Sequence, residues 1–219
     1  MENKVENLKN ALIEVRKAHR LVESFQERML SLVNYIATRL DFHQLEGIKH
    51  FSAPISPFRG GDHLKIHHTL WAWDWCYSYL FEYYVGNLDL DDSSSINLSI
   101  IQYADTGFFE NENEDRTALE FFASPEESGS KLLFFMEYVP QGCHQLWSSY
   151  TYTAKYVLNK EFGSIKHKGS VIEPEGPGKN KILLYSVPLE RFVDEQSTIA
   201  ALKDYLDFLA QNGIRVQMV

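Results

Sequence analysis

The chain is short of cysteine, of basic charge and of long apolar runs, and each shortage removes a class of function. Two cysteines, Cys76 and Cys143, cannot build a disulfide framework or supply a structural zinc site by themselves. The formal net charge is −9, with a pI near 5.4. An acidic chain is a poor match for phosphate backbones across a broad face, so nucleic acid is not an expected partner. No run of eighteen apolar residues occurs, so no membrane span is expected. The polar start MENKVENLKN has no signal-peptide character, which makes the cytoplasm the expected location. Phosphate-loop, dinucleotide and His-Glu-x-x-His patterns are also missing.

Glycine and proline are absent from Asn3 to Leu40. There Val5, Leu8, Leu12, Val15, His19, Val22, Gln26, Met29, Val33, Ile36 and Leu40 step by three and four in alternation. That is a heptad seam on one long helix, with His19 and Gln26 as its polar interruptions. Leu21, Phe25, Leu30 and Leu32 widen the stripe in the second half. The wider half is expected to lie on the domain core and the narrower half to protrude or pair with a partner. Leu8, Leu12, Val15, His19 and Val22 are therefore the candidate interface residues.

Aromatic residues are plentiful, at 14%. From Trp71 to Val85 every second residue is aromatic or β-branched, which predicts a strand with one buried face. On that reading Trp73, Tyr77 and Phe81 are buried, while Asp74, Ser78 and Glu82 are more exposed. Ile96–Asp105 predicts a second strand, antiparallel to the first. Lys131–Val139, nearly all apolar, predicts a central strand covered on both faces. Residues 144–162 fit a helix or a strand, with the helix preferred. Lys181–Leu189 predicts a further strand, and Thr198–Gln211 a helix capped by Ser197 and stopped by Gly213. Ile214–Val219 alternates and suggests a last strand. The chain thus reads as one α+β domain over residues 1–219. A long helix (1–40) packs on an antiparallel meander of four or five strands, with one or two further helices. Residues 41–70 read as an irregular, histidine-rich connection.

Two stretches invite chemistry. In the loop before Trp71, Arg59, Gly60, Gly61, Lys65, His67 and His68 form the one locally basic stretch and suit an anion. The plainer reading is a solvated loop. Asp74, Asp105 and Glu137 fall in or at the ends of three successive predicted strands and suit a divalent cation. The element order resembles the core of the PD-(D/E)xK nucleases, although Glu137-Tyr138-Val139 stands where that family carries Glu-x-Lys. The plainer reading is carboxylates facing solvent or a basic side chain. Two functions follow. One is a cytoplasmic interaction or regulatory protein working by self-association or with a protein partner. The other is a metal-dependent phosphodiesterase or nuclease-like enzyme. The sequence names no cofactor and leaves catalysis open.

Overall fold

A computed structural model describes residues 2–50, 80–90, 92–107, 122–143, 169–172 and 180–219. The order is helix α1 (Glu2–Arg39), strands β1 (Glu46–His50), β2 (Leu80–Asp89), β3 (Ser95–Tyr103), β4 (Lys131–Val139), β5 (Gly169–Ile172) and β6 (Lys181–Pro188), a 3-10 turn (Leu189–Phe192) and helix α2 (Glu195–Gln211). The six strands form one antiparallel sheet in the order β1-β2-β3-β4-β6-β5. The α+β class and the long N-terminal helix follow the sequence pattern, with more strands than expected. Among the described residues, no helix is long and apolar enough to cross a membrane.

Both helices end where the sequence permits a left-handed residue. After α1, Asp41 takes φ 63°, and the N–H groups of Asp41 and Phe42 donate to the carbonyls of Thr38 and Ala37. After α2, Gly213 takes φ 82°, and the N–H groups of Gly213 and Ile214 donate to Ala210 and Leu209. Each is a Schellman closure, and each seats an apolar residue, Phe42 or Ile214, in the core. The start of α2 differs from expectation. Asp194 is the cap, its carboxylate accepting from the Ser197 N–H at 2.8 Å, and Ser197 is the third helical residue, whose hydroxyl accepts from the Asp194 N–H. Residues 214–219 form no strand. They cross the end of α1, where the Val219 N–H donates to the Arg39 carbonyl at 3.0 Å.

One sheet face holds Tyr83, Val85, Ile96, Leu98, Ile100, Leu132, Phe134, Met136, Leu183, Tyr185 and Val187, which make one core with α1 and α2. Tyr205 of α2 stacks within 4.5 Å of Phe134 and 5.5 Å of Tyr185, measured between ring centres. The opposite face is buried as well: Leu80, Ile101, Tyr103, Leu133, Phe135, Ile182 and Leu184 are all 1% exposed or less. β4 is thus the doubly covered central strand that its apolar run predicts.

Double burial corrects the single-faced reading of the aromatic stretch. Glu82 is fully buried on the second face, where the Ser99 hydroxyl donates to it at 2.7 Å, and Phe81 is only half-buried. A carboxylate is tolerated there because it is hydrogen-bonded. The strand also runs past the expected turn at Gly86-Asn87. Val85 bulges out of register between Tyr84 and Gly86, and Gly86 takes φ 106°, which a side chain would strain. Residues 71–79 and 144–162 lie outside the described residues, apart from any statement about their neighbours.

Candidate functional site

The helix that organises the fold is half inside it. From residue 3 to residue 21 every side chain of α1 is exposed, and Val22 is the first to be partly covered. Val5, Leu8, Leu12 and Val15 are 46–60% exposed. At 1.5 Å per residue, residues 3–24 extend roughly 33 Å. Met29, Val33, Ile36 and Leu40 continue the same seam and are 1% exposed or less. The apolar stripe along residues 5–22 is therefore exposed, and along residues 29–40 it is core.

Gln26 stands where the seam meets the sheet. Its Oε1 accepts from Gln102 Nε2 at 2.9 Å, and Gln102 Oε1 accepts from the Tyr83 hydroxyl at 2.9 Å. Burial pushes the Tyr83 pKa up to about 12, so the phenol stays a donor at any physiological pH. This chain of polar groups fixes the register at which α1 joins β2 and β3. Toward its other end, the Tyr35 hydroxyl donates to Glu195 Oε1 at 2.9 Å, Arg39 Nη2 reaches the same oxygen at 3.2 Å, and Arg39 Nη1 donates to the Val219 carbonyl at 2.9 Å. The inner half of α1 is clamped at both ends, and the outer half is held by neither clamp.

The stripe widens on one side only. Phe25 and Leu32 are half-buried, whereas Leu21 and Leu30, expected to join them, are 72% and 44% exposed. Phe25 and Leu32 lie on the flank of the seam toward the domain, and Leu21 and Leu30 lie outside it. Beside Phe25 a groove of about 250 Å³ opens between α1 and the 3-10 turn. Phe25, Met29, Leu189, Phe192 and Val193 make its apolar walls, with Arg28 and Glu190 also lining it.

The candidate interface residues Leu8, Leu12, Val15 and His19 all sit on the exposed half, and Val22 sits at its root. The candidate cation ligands do not come together among the described residues. Glu137 is buried in β4, where Asn97 Nδ2 and Asn180 Nδ2 donate to its two oxygens at 3.1 and 2.6 Å. Asp105 is half-buried beyond the end of β3 and accepts from the Gly107 N–H at 2.7 Å. Glu137 pairs with Asn97, and Lys131 pairs with Tyr103, so about 20 Å of ladder separates the two carboxylates at ~3.4 Å per residue. No group of three metal-binding side chains occurs among the described residues. Asp74, Arg59, Gly60, Gly61, Lys65, His67 and His68 lie outside those residues.

Sequence reasoning missed a polar row on the second sheet face: Ser99 bonded to Glu82, and beside them Tyr84, Asn97, Glu137 and Asn180 linked in turn by hydrogen bonds across β2, β3, β4 and the residue just before β6. The signal was present in the spacing of Asn97 and Ser99, two apart in β3 and so on one face. It was masked by the apolar residues around them, Ile96, Leu98 and Ile100.

A protein-family model matches residues 5–213. The chain belongs to the PM0109 family. The match begins at Val5, so it includes the exposed half of α1. No curated protein and no solved structure matches the chain.

Proposed function

We propose that this protein works through association, with the outer half of α1 as its interaction surface and a second copy of the chain as its partner. One observation carries the reading: a heptad seam that is core at one end stays regular, with His19 as its polar interruption, over about two and a half further heptads, from Val5 to Val22, where its side chains are exposed and none of the described residues is packed over it. A solvent-bridging helix has no need of that regularity, and polar residues on all sides would serve it better. A coiled-coil seam does need it, because each apolar knob must meet a hole on the facing helix. The carboxylate arrangement lends the enzymatic alternative no comparable support, since Glu137 is held by two amides and Asp105 stands apart.

Light scattering tests the reading. The wild type is expected at about twice the 25.4 kDa of one chain. Leu12→Asp together with Val15→Asp is expected at the single-chain mass, because charges in the seam face an apolar partner. A wild type that runs as a monomer at high micromolar concentration contradicts it.

A further inference from the structure

We draw no further inference here: the strongest candidate, the apolar groove of about 250 Å³ between α1 and the 3-10 turn, walled by Phe25, Met29, Leu32, Leu189, Phe192 and Val193, carries nothing, because nothing in the structure shows what covers it.

Discussion

Val5, Leu8, Leu12 and Val15 are at least 46% exposed, whereas Met29, Val33, Ile36 and Leu40, on the same seam of the same helix, are 1% exposed or less. Nothing in the heptad itself distinguishes the two sets. The difference lies in what stands opposite. The inner half has a sheet beneath it, a glutamine network at one end and the Glu195 clamp at the other. The outer half has the same pattern with none of the described residues packed over it. Periodicity therefore specifies which face of a helix is apolar, and tertiary structure decides whether that face is already satisfied. A seam that remains regular after leaving its own core is what the proposed association rests on.

The contrast can be broken at its strongest point first. Ile36→Ala removes three carbons from a fully buried site and is expected to cost about 2–5 kcal/mol of unfolding free energy. Leu12→Ala, measured by the same denaturant titration at a concentration low enough to hold the monomer, is expected to stay within about 0.5 kcal/mol, as exposed positions do. Equal losses would mean that the two halves belong to one core. The boundary comes next. Gln26→Ala takes the acceptor from the buried Gln102 amide and is expected to cost about 1–3 kcal/mol, the usual penalty for a buried donor left without its partner. A neutral substitution would show that the register of α1 does not depend on this network.

A smaller effect sharpens the other end. The Ser197 hydroxyl and backbone N–H hold the Asp194 carboxyl below its ordinary value of 3.8. A carboxylate whose folded pKa is depressed contributes stability that is present above the unfolded value and is lost as pH falls through the folded one. The α2 start, and with it the Glu195 contacts to Tyr35 and Arg39, is therefore expected to loosen below pH 3.8. Asp194→Ala should flatten that part of the pH–stability curve while leaving the outer half of α1 unaffected. A curve of unchanged shape in the variant would mean that the cap contributes nothing.

Much of the fold was legible because its elements are long and strongly patterned. α1, β4 and the face of α2 follow from residue spacing alone. What escaped were the sheet's two edges. β1 falls in the supposed irregular connection, and β5 falls in the glycine- and proline-rich stretch before Asn180. Both are short, both are paired on one side only among the described residues, and each carries a glycine where a side chain has no room. A Cβ on Gly47 would meet the Phe81 ring at 2.7 Å, and one on Gly169 would meet Phe208 at 2.5 Å. Edge strands are specified by the neighbour they lie against more than by their own alternation. The same reason explains Glu82. Its burial depends on Ser99, seventeen residues away and on another strand, and no local pattern carries that information. Within the candidate site, the seam was readable and the clamps were not, because Gln26–Gln102 and Tyr35–Glu195 join residues far apart in the chain.

The most direct test is amide hydrogen exchange along α1 across a dilution series. Residues 29–40 should be protected at every concentration, since their burial is internal to one chain. Residues 5–22 should be protected at high concentration and lose protection together as the protein is diluted, since their cover comes from a second copy. Exchange in residues 5–22 that is fast and independent of concentration would contradict the claim that this half of the helix is an interface between chains.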